Sequence, residues 1–563
     1  MINKLDISFT NVLAFCLLAV IFLLIVFFIA LLKPLPGIPY NRKSAWRLSG
    51  DVGLMKEAQY RRQWIWNQPC THKSPVSRIF ITPFRRPTVI VTDYRAVEFD
   101  RGTRNKECVG LIAPNFHFVM QTKDPEFKSQ KSLLQDLMAE RVHKKMSATQ
   151  IYNKVDSLIK LWALKTYMSQ GKSFLADRDI HLTTLDIICA VAFRTENLQS
   201  ALQREISHIA SEQPGIFCND SEPVYFSPAA AIPELESLLN APKMISIAQG
   251  SIFPRVSQFL ALLISRNELA YWNRKQFIRH QIERRLKKLD CDGSAENKCA
   301  LDQLLRREMN LANKDRRSPN YYSTTIRDEV LGYLIAGHDT TAATISWWVK
   351  YMSQHQLVQS RLRSDLQQAY LSAFMDSRQP KTEEIYSVAV PYLDAVIKET
   401  LRYASVATLI VRNTTCDTQI FGYNIPKGID VMLSLTGHSL TEPALPTPRA
   451  PHNSSTRHKK NQVPYWGEDV SQFKPERWLK LVKSADGSER EKFCPTARPN
   501  LAFSSGPRQC SGRNLAYMQL KITMALIIWN FELQPLHQSL NGLEIIEKLV
   551  NRPRVCYVRL TKV

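Results

Sequence analysis

The sequence predicts a mainly α-helical chain tethered by one N-terminal transmembrane helix, and three observations carry that reading. Glycine is scarce, 19 of 563 residues, which favours helix over glycine-rich turns. Apolar residues recur at helical spacing, as in Leu133, Leu134, Leu137, Met138 and Val142. Val12 to Leu32 runs without a charge or strongly polar side chain. At ~1.5 Å per residue such a helix reaches ~30 Å, the hydrocarbon thickness of a bilayer.

The first element, residues 1–32, is read as a retained anchor because its apolar run stays bulky to its end and offers no small-residue cleavage site. Lys33, Arg42, Lys43 and Arg47 follow it while only Lys4 precedes it. That bias places the body on the cytoplasmic side, with the endoplasmic reticulum as the expected membrane. Residues 33–39 hold Pro34, Pro36 and Pro39, a stiff hinge, because each ring fixes φ and removes a helix donor. The body is 40–563. Within it, 76–92 has two β-branched runs broken by Pro83 and Pro87, a short hairpin. Helical spacing dominates from about 126 to 210. Residues 213–245 read as loop and then as weakly apolar chain. The stretch 274–288 reads as a solvated basic helix with Phe277, Ile278, Ile282 and Leu286 on one face. Residues 441–463 hold several prolines and no periodicity, a surface insertion, and 481–498 is a second low-pattern stretch.

The formal net charge is +23. No arginine-rich arm or finger spacing accompanies it, so nucleic acid is set aside in favour of an anionic membrane surface or an acidic protein partner. The 11 cysteines are odd in number and contain no C-x-x-C pair, which argues against a disulfide framework or zinc module.

The chemistry is concentrated in Phe503-Ser504-Ser505-Gly506-Pro507-Arg508-Gln509-Cys510-Ser511-Gly512. A cysteine that ligates a metal must be a thiolate, so it needs donors and positive potential at its sulfur. Gly506 and Gly512 permit a tight turn that points N–H groups there. The helical spacing of Asn514 to Trp529 sets a positive helix end beside the charge. A second segment, Ala336-Gly337-His338-Asp339-Thr340-Thr341, lies in the helical run from Ile326 to Met352. An acid followed by an alcohol can pass protons through ordered water, and the Ala-Gly pair is read as leaving room for a ligand against the helix. A third, Glu399-Thr400-Leu401-Arg402, sets opposite charges on one helix face.

These motifs resemble, at every fixed position, F-x-x-G-x-R-x-C-x-G, A-G-x-[DE]-T-[ST] and E-x-x-R of the cytochrome P-450 family. The resemblance covers about 33–563. It implies a triangular, mainly helical fold with a small β-rich lobe, and haem b with Cys510 as thiolate ligand. Arg508 and Arg412 would face the propionates, and Phe503 would shield the ligand loop. It further implies Thr340 as proton-relay alcohol, Asp339 as the acid behind it, and a structural triad of Glu399, Arg402 and the Arg477 of Pro475-Glu476-Arg477-Trp478. His338 is expected to pack or hydrogen-bond. Where the family often carries W-x-x-x-R, this chain has Phe127 to Lys131; Lys131 could supply the charge, but Phe127 cannot donate an indole N–H.

The implied activity is monooxygenation of an apolar organic substrate, with electrons from NADPH through NADPH–cytochrome P-450 reductase. Substrate contacts are expected around 109–122, 213–250, Tyr333 to Ala336 and Val406 to Val411. The general look is similar to fungal members that tailor secondary metabolites. Haem-thiolate isomerases, dehydratases and peroxygenases are the alternative enzymes, and the intact Asp339-Thr340 pair argues against them. A non-catalytic, membrane-tethered haem or lipid-binding protein is the remaining alternative, against which Thr340 and Gly337 both stand. Asn219 and Asn413 lie in N-x-[ST] sequons, expected to be free of glycan if the body is cytoplasmic.

Overall fold

The computed structural model describes residues 17–26 and 34–563, apart from 48, 59, 82–86, 95–111, 121, 123, 136–146, 196–199, 213–221, 250, 252, 293–298, 447–467 and 484–486. The chain divides into two compact units, 1–102 with 409–439 and 444–458, and 103–408 with 440–443 and 459–563.

The first unit is built on a four-stranded sheet. Val76–Ile79 pairs antiparallel with Thr88–Val91 (Val76 opposite Val91), the expected hairpin. Thr88–Val91 then pairs in parallel with Asp430–Ser434, and Leu409–Asn413 closes the other edge antiparallel. Every residue of the first two strands is buried, which suits their β-branched composition. Asn413 is buried in the last strand and its amide donates to Asp430 at 2.9 Å. At the N-terminus, residues 17–26 are helical with their apolar side chains exposed. Residues 12–16 and 27–32 of the predicted anchor lie outside the described residues. Among the described residues, no helix is long and apolar enough to cross a membrane.

The second unit is helical. Ala148–Met168, Asp177–Phe193, Thr324–Gln354, Pro391–Tyr403 and Arg513–Asn530 share one core, centred on Trp162, Trp348 and Ile527. Asp177–Phe193 is buried on almost every face, so its polar groups must be paired inside. Asp179 accepts from Lys165 at 2.7 Å and from the Trp162 indole at 3.2 Å. The long helix Thr324–Gln354 starts at Ser323, whose Oγ caps the N–H of Ile326.

One sequence reading is corrected here and two are filled in. The second half of 213–245 belongs to a helix, Pro233–Gln249. The basic stretch lies in the helix Ser265–Asp292, but it is not merely solvated. Arg274 is buried and donates to the Ser237 carbonyl at 3.0 Å, and Arg285 makes a buried bidentate pair with Asp302 at 2.7 Å. The low-pattern stretch 481–498 contains part of an antiparallel hairpin, Leu479–Lys483 with Glu489–Phe493, whose side chains are mostly exposed. With neither face covered, no alternating pattern was required of it. The 441–463 insertion falls largely outside the described residues.

Candidate active site

The cysteine sits on a loop that doubles back before a helix. The Cys510 N–H donates to the Phe503 carbonyl at 2.9 Å, and the Gln509 N–H donates to Gly506 at 3.0 Å. The reversal puts Ser504 and Gly506 at positive φ, +59° and +72°, a region glycine enters without steric cost. The Phe503 ring packs 5.4 Å from Tyr517 of the following helix. Cys510 keeps an open surface, yet burial is the largest influence on its thiol and pushes its pKa up. Both hold for a sulfur crowded by protein atoms on one side and open on the other. The N–H of Gly512 and the nearby guanidinium of Arg513 oppose that shift and favour the thiolate. Gly512 and Arg513 open the helix Arg513–Asn530, so its positive end adds to the same effect.

The long helix Thr324–Gln354 carries the second motif. Its residues from Ile326 to Ser353 are nearly all buried, but Ala336 is exposed and Gly337 and Thr340 are partly so. Three hydroxyls bond back one turn: Thr340 to Ala336 at 2.8 Å, Thr341 to Gly337 at 3.1 Å and Thr344 to Thr340 at 2.9 Å. Such back-bonding competes with the backbone ladder and bends helices. Since the Thr340 hydroxyl donates to Ala336, its oxygen keeps lone pairs for a water. The role read for Gly337 is corrected: a Cβ there would meet Ile188 Cδ1 at 2.4 Å, so its small size serves packing against Asp177–Phe193. His338 is buried, with Nδ1 2.8 Å from the Leu334 carbonyl; burial lowers its pKa and keeps it neutral. Asp339 is buried, with His181 Nε2 3.8 Å from its Oδ1. Of the expected substrate contacts, Tyr333 and Ile335 are buried in the core beside the exposed Ala336.

Arg508, Phe127 and Lys131 come together. The Arg508 guanidinium lies 4.4 Å from the Phe127 ring centre and donates to the Phe118 carbonyl at 2.7 Å. Lys131 Nζ lies 5.8 Å from the same ring centre. Phe127 thus stacks a cation where an indole would have donated a hydrogen bond. Arg412 is buried in the sheet strand of the other unit.

Glu399, Arg402 and Arg477 form a buried cluster. Glu399 Oε1 accepts from Arg402 Nη2 at 2.6 Å, Arg477 Nε at 3.1 Å and the Lys474 N–H at 2.8 Å. Its Oε2 accepts from Arg402 Nε and from the Trp478 indole, both at 2.9 Å. Arg402 spends its remaining donors on the carbonyls of Leu440, Val470 and Gln472. One carboxylate therefore pins the loop 469–478 to the helix Pro391–Tyr403.

The sequence reading missed the parts played by Arg513, Trp478, Ile188 and His181. Arg513 directly follows the cysteine motif and Trp478 stands inside the quoted Pro475 to Trp478, so both could have been found. Ile188 and His181 lie about 150 residues from their partners, with no local signal.

The donor set suits a flat, dianionic macrocycle with a soft axial ligand. A thiol carries two positive influences, two cations flank one aromatic ring, and the long helix is open at Ala336 and Thr340. A family model described as cytochrome P-450 matches residues 66–449 and 458–555. Cytochrome P-450 monooxygenase TRI13 of Fusarium sporotrichioides is 32% identical over 95% of this chain and 96% of that protein. Cytochrome P-450 monooxygenase GME11363 of Pestalotiopsis microspora is 30% identical over 98% of each. Cytochrome P-450 monooxygenase xilC of Penicillium crustosum is 31% identical over 94% of this chain and 92% of that protein. On the family model, the cysteine loop and these near-full-length likenesses, the chain belongs to the cytochrome P-450 family.

Proposed function

We propose that this P-450 monooxygenase tailors an apolar secondary metabolite, fed with electrons by NADPH–cytochrome P-450 reductase. Residues 1–32 would anchor it as a single pass in the endoplasmic reticulum, with 40–563 as a cytoplasmic catalytic domain. The observation that carries the reading is the Cys510 loop, where the N–H of Gly512 and the Arg513 guanidinium favour the thiolate against burial. Cys510 would hold the haem, and Arg508 and Lys131 would meet its propionates. When bound, haem supplies dioxygen activation, so that one oxygen atom enters the substrate and the other leaves as water.

The chain's own part is to ligate, exclude water and place protons. Thr340 holds a water on the accessible face of the long helix through its free lone pairs, and Asp339 stands behind it as proton source. The likeness to fungal cytochrome P-450 monooxygenases supports the reaction class. The net charge of +23 supports an acidic redox partner. The apolar run, helical and exposed where it is described, supports the anchor.

The test is a reduced carbon-monoxide difference spectrum of the wild type beside Cys510→Ser, followed by NADPH oxidation with the reductase. A thiolate-type band lost in the variant is the expected result. A histidine-type band, or none, would overturn the assignment of Cys510. Glycan on Asn219 or Asn413 in cells would overturn the topology.

A further inference from the structure

Asp339 must be reprotonated each time it gives up a proton, and the structure shows what stands behind it. His181, on the helix Asp177–Phe193, is buried. Its Nδ1 lies 2.8 Å from the Asp177 carbonyl, one turn back. A carbonyl only accepts, so Nδ1 carries the hydrogen. Its Nε2 lies 2.9 Å from Arg552 Nη1. A guanidinium only donates, so Nε2 carries a lone pair. The same Nε2 lies 3.8 Å from Asp339 Oδ1. These contacts define a neutral imidazole whose one basic atom is shared between a cation and the distal acid.

We infer that His181 is a positioning residue that carries protons from a polar edge of the protein to the Asp339 carboxylate, a role that rests on the monooxygenase reading above. The edge is formed by Asp177 and Lys548. The Asp177 carboxylate is 3.7 Å from Nδ1, and its side chain is 32% exposed. Lys548 is partly exposed, and its ammonium is pushed down by burial and Arg552 while Asp177 and Asp339 pull it up. Both carboxylates therefore lie within its field. Lys243 repels it from the helix Pro233–Gln249. On the far side, His338 is held to Leu334 and buried neutral, so it does not compete for the proton.

The step balances without electrons. A hydronium ion at the edge gives a proton to His181 Nε2, which releases Arg552, and remains as water. The imidazolium, with Asp177 beside Nδ1, faces Asp339 and passes the Nε2 proton to Oδ1. His181 returns to its neutral form and re-engages Arg552, and the proton moves on to the water held by Thr340. One solvent proton is delivered per cycle of the histidine.

The experiment is a histidine 13Cε1 NMR titration of the reduced, carbon-monoxide-bound holoenzyme between about pH 5 and about pH 8. The His181 resonance is assigned by its loss in His181→Gln. In Asp339→Asn the His181 midpoint should fall by about one pH unit or more, because the anion favouring the imidazolium is gone. In Arg552→Gln it should rise, because the competing cation is gone, and this variant decides the matter if Asp339→Asn loads no haem. A midpoint unmoved by these changes overturns the inference. With the reductase, His181→Gln should oxidise NADPH about tenfold more slowly near neutral pH and shift the acid limb of the profile. A residue that merely packs would leave that limb in place, and an unshifted limb also overturns the inference. The carbon-monoxide band of the same samples reports on the monooxygenase reading separately. A normal band beside an unmoved midpoint refutes His181 alone, whereas a wild type without the band refutes the reading beneath it.

Discussion

Glu399→Gln is the sharpest test of how the cysteine-side core is held. Glu399 accepts from Arg402 twice and once each from Arg477, Trp478 and the Lys474 backbone. The Arg402 and Arg477 side chains are only 1% and 4% exposed. Glutamine removes the carboxylate charge that pairs with Arg402 and, together with Asp469, with Arg477, and turns an NH2 towards donors. Breaking a buried pair in this way costs about 3–5 kcal/mol. Arg477→Met is the control. It leaves Glu399 paired with Arg402, while Asp469 keeps Lys474 at 2.9 Å. Its cost is that of lost hydrogen bonds, about 1–3 kcal/mol. Urea unfolding of the holoenzyme, followed by the haem absorbance, should therefore rank Glu399→Gln well below Arg477→Met. Equal midpoints, or a Glu399→Gln protein as stable as wild type, would refute the claim that one carboxylate carries the cluster.

Other outcomes follow from the same geometry. Arg513→Gln removes a cation that favours the Cys510 thiolate, so the thiolate-type carbon-monoxide band should be lost at a higher pH than in the wild type. Gly337→Ala drives a Cβ towards Ile188 and should cost about 1–3 kcal/mol, most of it recovered by Ile188→Ala in a double-mutant cycle. Burial and the neighbouring Arg513 push the Lys398 ammonium down from 10.5 to about 8. Between those values the unfolded chain binds the proton and the folded one does not, so stability should climb as pH rises through that window. Lys398→Met should raise stability at neutral pH by up to about 3 kcal/mol and flatten the climb, as a pH series of unfolding midpoints can show. Arg378, chiefly, holds the Glu384 carboxyl down from 4.5 to about 2. Its contribution is present above about 4.5 and lost as pH falls towards about 2, and Glu384→Gln should remove that acid limb from the same series.

What could be read in the sequence follows how far apart the interacting atoms lie along the chain. The Cys510 loop spans a single turn and a helix start, so its residue types and spacing state its geometry in full. Glu399 and Arg402 share one helix face, and the loop residues that join them were legible because Pro475 to Trp478 repeats a family pattern. The helices were legible wherever one face is apolar, as in Ile151, Val155, Leu158, Leu161 and Trp162 of Ala148–Met168. They were not legible in Pro233–Gln249, whose interior Pro242 blurs the period. The hairpin at 479–493 escaped because neither of its faces is buried.

The purpose of Gly337 could not be read locally at all. In sequence it sits beside Ala336, and the two invite one explanation, space for a ligand. In the structure they part: Ala336 is open, whereas the place of a Gly337 Cβ is taken by Ile188. The same approach of two helices sets His181 behind Asp339. Any side chain larger than hydrogen at 337 must displace Ile188 or move the helix that carries His181, seven residues and about two turns away. Close packing is what makes such a shift costly, since a core has no slack to absorb a methyl group. Gly337 thus bears on the acid through the packing that fixes the histidine, even though it faces neither proton donor nor acceptor. If that is so, Gly337→Ala should also move the His181 titration, and Ile188→Ala should return it.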